Sequence, residues 1–532
     1  MFDNLTIFLA LLWIASGLHD YANFLYWWQL KEYRLDKFKD LLSTKQGREY
    51  WLRYSLLIQF LAVTWFLISS THFGLEAKHI LVFLLCINVS YGVFSLLKRM
   101  LRRPIITPKI LLIFFTLYLF EGTVLYITQN WTVGFLLLII RMFTTPVVVA
   151  ICNVPTAFAK KTILHLATKK MQRYKDFKVV GITGSYGKST VKEFLSHILS
   201  CKYNIIKTPK NINTEIGVAL FILKNDFKKY DVFVVEMGAY KVGDIQLICD
   251  IVKPTYGILT AINEQHLSLF GTIQNTQKAK YELLYSLPDT GVAITNADNP
   301  YCRELLPTLN CAVDTFGIHE EFEPTLLISN IEENKKEGVI SCQNTINGKT
   351  FDYTTGVPGR HNTKNIAACM LLAYYFDMTH EELRKQVETL KLPEKNLQIY
   401  KYHKAIIIDD SANSNPDGFK AALDVLSSYS GKNRIVITRG MHELGERSDA
   451  LHEEVGGEID FIANTLVLTK NNFAEQIESG MSHKYKTEIL KIYTQDELLK
   501  YVKSQKNRQV VILIENVIPA LVLEEIKSTR KK

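Results

Sequence analysis

A phosphate-binding pattern occupies residues 181–190, GITGSYGKST, where three glycines precede Lys188 and the hydroxyl pair Ser189–Thr190. An apolar, β-rich run at 177–182 comes before it and a helical pattern at 189–199 follows it. In a strand–loop–helix unit, backbone N–H groups and the helix N-terminus face bound phosphates. The lysine neutralises phosphate oxygens and a following hydroxyl ligates Mg²⁺. The stretch therefore predicts a nucleotide site.

The glycine spacing is a variant, G-x-x-G-x-x-G-K-S-T, with Ile182 where the strict phosphate-loop pattern has glycine. The backbone argument is unchanged by this difference. The residues predicted to contact nucleotide here are Gly184, Ser185, Tyr186, Gly187, Lys188, Ser189 and Thr190.

Polar residues also follow three further apolar runs. Glu236 ends the run 232–235, Asn296 follows 291–295, and Asp410 follows 405–408. Ligands bind at the carboxyl ends of parallel strands, where a carboxylate such as Glu236 suits Mg²⁺. An ordinary strand-end charge and a loop-capping asparagine are the alternatives for Glu236 and Asn296.

The charge of the chain is divided unevenly. Residues 1–178 contain 21 Lys and Arg against 9 Asp and Glu, while the remainder contains 41 against 44. The basic surplus belongs to the apolar third, which indicates anionic lipid rather than nucleic acid as the partner. The eight cysteines form no C-x-x-C pair, so neither a zinc ribbon nor a disulfide framework is indicated.

Five apolar stretches near the ~20 residues needed to span a bilayer precede residue 155. They are 5–28, 54–73, 80–97, 110–128 and 131–152. Two charged residues, Glu121 and Arg141, fall inside spans, where they serve a function, pair with each other or extend to the membrane surface.

The number of Lys and Arg residues alternates between high and low in successive connecting loops. Loop 30–53 has seven, 74–79 has one, 98–109 has five, 129–130 has none, and the segment after 155 is again basic. The positive-inside rule places the N-terminus outside and everything after 155 in the cytoplasm, as a multi-pass inner-membrane protein.

Eight ordered motifs over residues 178–532 resemble the Mur ligase family, which joins amino acids to peptidoglycan precursors with ATP. After the phosphate loop come TPKNINTEIGVAL, VFVVEMGAYKVGDI, INEQHLSLFG, KAKYELL, NADN, GVPGRHNTKNIAA, DDSANSNPDGFKAALDVL and GMHELGERSDALHEEVG. Their details resemble the branch that adds D-alanyl-D-alanine to UDP-muramoyl-tripeptide.

The resemblance implies roles for particular residues. His266 would ligate a second Mg²⁺, and Lys280 would be carbamylated by CO₂ and help to hold metal. Asn296, Arg360, His361 and Asn362 would lie around the nucleotide, and Asp410 would reach its ribose. Lys188, His266 and Lys280 would be the catalytic residues, and Ser189, Thr190, Glu236, His266 and Lys280 the metal site.

Two departures from the branch pattern concern the incoming amine. Ala412 stands where the branch has tyrosine, and Arg439–Gly440 stand where it has Gly-Asp. The candidate substrate-binding residues are Asn413, Asn415, Arg439, His442 and Glu443.

The expected fold is an α-helical membrane region followed by two α/β domains with parallel sheets. The expected ranges are a membrane region at 1–155, a basic helical linker at 156–176, a central ATP-binding domain at 177–392 and a C-terminal Rossmann-like domain at 396–532. A small β-rich excursion at 325–353 is expected, with a hairpin at Asn347–Gly348.

The predicted activity is ATP-dependent amide ligation through an acyl phosphate, with ATP, a cell-wall precursor carboxylate and an amino acid or dipeptide amine as substrates. The membrane region stands where soluble Mur ligases have a UDP-binding domain. A ligase for another acceptor, such as poly-glutamate or a lipid-linked precursor, is therefore the alternative. A transporter or sensor with a regulatory ATP domain is disfavoured, because the spans show no two-half repeat.

Overall fold

The computed structural model of the 532-residue chain divides into two compact units, Met1–Thr162 and Ile163–Lys532. It describes residues 4–31, 33–35, 38, 77–97, 103–130, 132–174, 177–209, 212–263, 267–334, 339–392, 397–411, 416–441, 444, 447–482 and 484–528.

Four long apolar helices lie before the phosphate loop in the described part of the chain. They are α1 (Asn4–Leu30), α2 (Ala77–Leu97), α3 (Pro108–Thr128) and α4 (Thr132–Met171). Each is long and apolar enough to cross a membrane. Four of the five predicted spans fall in these helices, and the fifth, 54–73, lies outside the described residues.

Helix α4 is 40 residues long and contains Pro146 and Pro155. It continues through the predicted end of the last span at residue 152 and through most of the predicted linker. The linker was predicted to be helical, and the helix runs to Met171 without a break where the apolar run gives way to lysines.

Three buried charged residues of the first unit, Asp20, Glu121 and Arg141, pair with each other. Arg141 is fully buried. Its Nε donates to Glu121 Oε1 at 2.8 Å and its Nη1 to Asp20 Oδ2 at 3.2 Å. The Trp13 indole donates to Glu121 Oε2 at 2.8 Å. The pairing of Glu121 with Arg141 is thus confirmed, and it joins α1, α3 and α4 through groups that would be costly to leave unpaired in lipid.

The second unit begins with a nine-stranded sheet in the order β2-β3-β1-β4-β5-β6-β7-β8-β9. Its strands are β1 (Lys178–Thr183), β2 (Ile205–Lys207), β3 (Val232–Glu236), β4 (Tyr256–Leu259), β5 (Val292–Asn296), β6 (Ala312–Gly317), β7 (Leu326–Asn334), β8 (Val339–Ile346) and β9 (Lys349–Thr355).

The expectation of a purely parallel central sheet is wrong at one edge. Strands β2 to β7 pair in parallel, but β8 and β9 pair antiparallel and extend the same sheet. The β-rich excursion is therefore the edge of this sheet. Its hairpin turns at Asn347–Gly348, both with positive φ (50° and 72°), as the Asn-Gly signal predicts.

The helices around this sheet bury apolar faces against it. They are α5 (Lys188–Leu199), α6 (Glu215–Lys224), α7 (Asp244–Val252), α8 (Leu267–Phe270), α9 (Ile273–Tyr285), α10 (Pro300–Arg303), α11 (His361–Tyr374) and α12 (His380–Glu388). Strand β3 is buried along its whole length, as expected for a strand covered on both faces.

The C-terminal sheet has six strands in the order β10-β11-β15-β12-β13-β14. They are β10 (Gln398–Tyr402), β11 (Ala405–Asp410), β12 (Asn433–Thr438), β13 (Thr465–Leu468), β14 (Glu488–Lys491) and β15 (Val510–Glu515). The sheet is parallel except for β10, which pairs antiparallel with β11 and corrects the all-parallel expectation. Its helices are α13 (Pro416–Ser427), α14 (Ser448–Ile462), α15 (Ala474–Ser479), α16 (Gln495–Gln505) and α17 (Ala520–Ser528).

Candidate active site

The phosphate loop joins β1 to α5 and depends on two glycines with unusual backbone angles. Gly184 has φ 150° and Gly187 has φ 79°. A Cβ on Gly184 would lie 2.0 Å from Thr260 Oγ1, and one on Gly187 would lie 2.8 Å from Asn365 Oδ1. Larger residues would therefore displace the loop or its neighbours.

Hydrogen bonds to the loop after β4 fix this conformation. Ser185 N donates to Ala261 O at 2.8 Å, and Ser185 Oγ accepts from Asn263 N at 3.0 Å. Thr260 Oγ1 donates to the carbonyl of Tyr186. These hydrogen bonds hold the segment that enters α5 in this conformation.

Lys188 folds back over its own loop. Its Nζ donates to the carbonyls of Gly184 at 2.6 Å and Ser185 at 3.1 Å. Burial lowers the pKa of Lys188, and nearby Glu236 partly opposes that shift. The ammonium is thus positioned at the N-terminus of α5, where anions bind.

Glu236, at the carboxyl end of β3, is buried and surrounded by donors. Ser189 Oγ donates to its Oε2 at 3.0 Å, Lys192 Nζ also donates to Oε2 at 3.0 Å, and Asn213 Nδ2 donates to Oε1 at 3.1 Å. Burial alone would raise the pKa of Glu236, but Lys192, Lys188 and Asn213 lower it below its ordinary value. The ionised carboxylate beside a serine hydroxyl is a set of hard oxygen donors that suits Mg²⁺.

Lys280, on α9, is only 3% exposed. Its Nζ lies 5.9 Å from the centre of the Phe270 ring. Burial and then repulsion by Lys188 place the pKa of Lys280 well below its ordinary value, with Glu282 and Asp244 opposing the shift. A lysine on a helix usually keeps its ammonium group in water, and Lys280 does not. The predicted metal ligand His266 lies outside the described residues.

A cavity of about 710 Å³ opens beside the loop and takes residues from both α/β domains. The predicted site residues that line it are Ser185, Tyr186, Gly187, Lys188, Ser189, Thr190, Asn296, Arg360, His361, Asn362 and Asp410. Residues more than 200 positions apart are thereby brought together, and the volume suits a nucleotide-sized ligand.

The remaining predicted residues divide into two groups. Gly184, Glu236, Lys280 and Arg439 are described but do not line the cavity. Arg439 follows β12 at the carboxyl edge of the second sheet. The amine-side candidates Asn413, Asn415, His442 and Glu443 lie outside the described residues.

Several cavity residues also stabilise their own loops. Asn296 Oδ1 accepts from Asp298 N at 3.0 Å, the loop-capping contact that was the alternative for this residue. Arg360 donates to the carbonyl of Ile331 at 2.7 Å and so braces the β7 region. Burial lowers the pKa of His361 to about 4, so the imidazole is neutral near pH 7.

Sequence reasoning missed three residues that the structure places at the site. Lys192 lies one helical turn after Lys188 and is 1% exposed, a spacing that would have placed both on one helix face. Asn213 lies in the segment 208–220, which resembled the family but was not chosen. Asp417 accepts a hydrogen bond from Asn263 Nδ2 across the two α/β domains, and no local signal indicates that contact.

Comparisons with known proteins agree with this geometry. Residues 182–373 match the Mur ligase middle domain and residues 397–514 match the Mur ligase glutamate ligase domain. The UDP-N-acetylmuramoyl-tripeptide–D-alanyl-D-alanine ligase of Escherichia coli is 30% identical over 311 residues, 58% of this chain and 68% of that protein. The chain belongs to the Mur ligase family.

Two further relatives extend the match. The ligase of the same name from Bacillus subtilis is 28% identical over 343 residues, covering 64% of this chain and 72% of its own length. The crystal structure of MurF ligase from Thermotoga maritima in complex with ADP has a TM-score of 0.61 and 28% identity, over 69% of this chain and 82% of that one. This Mur ligase is accordingly an ATP-dependent, ADP-forming ligase with the fold of MurF.

Proposed function

We propose that this Mur ligase joins D-alanyl-D-alanine to the carboxylate of a peptidoglycan-precursor tripeptide. The observation that carries the proposal is a 710 Å³ cavity lined by Lys188, Ser189 and, from the second domain, Asp410. Ser189 also donates a hydrogen bond to Glu236. The E. coli and B. subtilis relatives, whose names state this reaction, support the choice of substrates.

The reaction has two steps. An acceptor carboxylate oxygen attacks the γ-phosphorus of ATP, ADP leaves, and an acyl phosphate forms. The amine nitrogen then attacks the acyl carbon, inorganic phosphate leaves, and the nitrogen loses a proton. The first step brings two anions together, so Lys188 and the N-terminus of α5 have to offset their repulsion.

Magnesium ions fit the oxygen donors on this edge of the sheet. The residues that would hold them are Ser189, Thr190, Glu236, His266 and Lys280. When bound, Mg²⁺ reduces the negative charge on the phosphoryl oxygens that face the attacking carboxylate. Lys192 and Asn213 keep Glu236 ionised and oriented for that role.

A carbamate on Lys280 would turn this buried cation into a carboxylate. Its burial beside Phe270 and the repulsion from Lys188 support the modification, because both favour an uncharged nitrogen that can react with CO₂. Carbon-13 NMR of enzyme equilibrated with labelled CO₂ tests it. A carbamate signal is expected in the parent protein, and the same signal in Lys280→Ala would contradict the assignment.

The amine would bind at the carboxyl edge of the second sheet, with Asn413, Asn415, Arg439, His442 and Glu443 as its contacts. The helices of the first unit would anchor the enzyme in the inner membrane, with the N-terminus outside and the ligase domains in the cytoplasm, where ATP is available. Membrane lipid would then be a partner of residues 1–155. Cysteine labelling from each side of intact cells tests this orientation.

A second candidate is a ligase whose acceptor is lipid-linked, or a poly-glutamate chain. The observation in its favour is that four helices able to cross a membrane precede the family match, which begins at residue 182. A lipid-linked acceptor would be held near such helices by its own tail.

One assay separates the candidates. Purified full-length enzyme in nanodiscs receives ATP, then UDP-linked or lipid-linked tripeptide, with D-alanyl-D-alanine or glutamate, and product mass is measured. The proposal expects ADP release only when the tripeptide and D-alanyl-D-alanine are both present. Lys188→Ala should lose at least about a hundredfold in rate. Failure of every amine to stimulate ADP release would refute both candidates.

A further inference from the structure

A pair of carboxyl groups lies at the centre of the carboxyl edge of the second sheet. Glu515, the last residue of β15, is the register partner of Asp410 at the end of β11 and of Thr438 at the end of β12. Neighbouring strands are about 4.8 Å apart, so the two acidic side chains start from adjacent positions. Asp410 lines the cavity, and Glu515 does not.

Both carboxyl groups are removed from water. Glu515 is 0% exposed and Asp410 is 1% exposed. Within the part of the chain that the structure describes, neither carboxyl oxygen of Glu515 has a hydrogen-bond donor. Two ionised carboxylates in this position would repel each other in a dry environment, and a buried charge without a donor is costly.

A single proton resolves this conflict. Burial, and then the charge of Asp410, raise the pKa of Glu515 well above its ordinary value. Asp410, its register partner on β11, is the carboxylate beside it. Asp410 is also fixed from the other side, because Leu397 N donates to its Oδ1 at 3.2 Å.

We propose that Glu515 is a positioning residue that donates its proton to Asp410 and thereby holds Asp410 as an oriented anion against the ribose hydroxyls of the nucleotide. This inference rests on the proposed contact between Asp410 and the ribose. Glu515 itself touches no substrate. A carboxylic acid suits this position because its O–H can donate to Asp410, which already accepts from Leu397 N. It does so without adding a second negative charge beside Asp410.

Equilibrium binding of ATP and of 2′,3′-dideoxy-ATP to the full-length enzyme tests the proposal. The ratio of the two Kd values reports the ribose contact and needs no knowledge of the acceptor or the amine. Glu515→Leu, which keeps volume but removes the donor, should weaken ATP about tenfold and bring the ratio close to one. Glu515→Gln still donates an N–H and should keep the ratio of the parent enzyme.

Two controls separate the possible failures. Ile514→Val loosens the same strand without touching the pair, so its ratio should equal that of the parent enzyme. Asp410→Asn should lose the ratio as Glu515→Leu does. If Asp410→Asn loses the ratio and Glu515→Leu keeps it, the role of Glu515 is wrong while the ribose contact stands. If Asp410→Asn keeps the Kd ratio of the parent enzyme, Asp410 does not contact the ribose, and the role proposed for Glu515 is wrong as well.

Infrared difference spectroscopy gives a readout that does not involve nucleotide. The parent enzyme at neutral pH should show the carbonyl band of a buried protonated carboxyl, and Glu515→Gln should lack it. An identical band in both proteins would overturn the proposal, as would equal loss of ribose discrimination in Glu515→Gln and Glu515→Leu.

Discussion

Gly184→Ala is expected to weaken ATP binding because the loop cannot keep its shape with a side chain at this position. The φ of 150° lies in a region that costs a non-glycine residue about 1–3 kcal/mol. The new Cβ would also stand 2.0 Å from Thr260 Oγ1 and 3.2 Å from the backbone of Ala261. Thr260 cannot easily move aside, because its hydroxyl donates to the carbonyl of Tyr186.

In Gly184→Ala we expect the phosphate loop to move and so relieve this strain. Part of the free energy of ATP binding is then used to return the loop to its phosphate-binding conformation. A penalty of about 1–3 kcal/mol corresponds to a roughly 5- to 150-fold rise in the Kd for ATP. Equilibrium binding of ATP and the KM for ATP in the ADP-release assay both measure it. The rise should appear in both, because the loop contributes to binding before chemistry begins.

Gly243→Ala is the matched control. Gly243 also has a positive φ, 96°, but a Cβ there meets nothing within 4 Å. It should lose some stability from backbone strain and leave the Kd for ATP within about twofold of the parent value. An unchanged Kd in Gly184→Ala, or an equal rise in both variants, would refute the reasoning from the loop.

Three further outcomes are expected. Lys192→Met leaves Glu236 buried without its ion pair and should lower the free energy of unfolding by about 3–5 kcal/mol. Lys207→Met breaks a half-exposed ion pair and should lower it by less than about 1 kcal/mol. Thermal unfolding of both variants measures the difference. The pKa of His361 in the folded protein is about 4, below its ordinary value of 6.5, so the unfolded chain binds the proton first as the pH falls. The free energy of unfolding should therefore decrease as the pH drops from 6.5 towards 4. His361→Gln should make this pH dependence weaker. Arg141→Leu strands two buried carboxylates and should sharply reduce the yield of monodisperse protein in detergent.

The sequence predicted the structure best where an element of the site is formed by residues adjacent in the chain. The phosphate loop, the following helix and the strand ending at Glu236 are local patterns, so their types and order were predictable. The Asn-Gly hairpin was predictable for the same reason. In each case the signal lies within about ten residues and follows from backbone geometry.

What escaped prediction depends on contacts between distant parts of the chain. Lys280 resembles any helical lysine until packing places it beside Lys188 and Phe270. Glu515 acquires its meaning only from the strand register that puts it next to Asp410, about a hundred residues earlier. The edge strands β8 and β9 could be predicted as strands, but not as part of the central sheet.

The most direct test of the account follows one oxygen atom. Acceptor tripeptide labelled with oxygen-18 in its reacting carboxylate is incubated with enzyme, ATP and D-alanyl-D-alanine, and the released phosphate is analysed by mass spectrometry. If ATP bound at the phosphate loop activates the carboxylate as an acyl phosphate, each phosphate released should carry a labelled oxygen from the acceptor. Amide product accompanied by unlabelled phosphate would contradict the account.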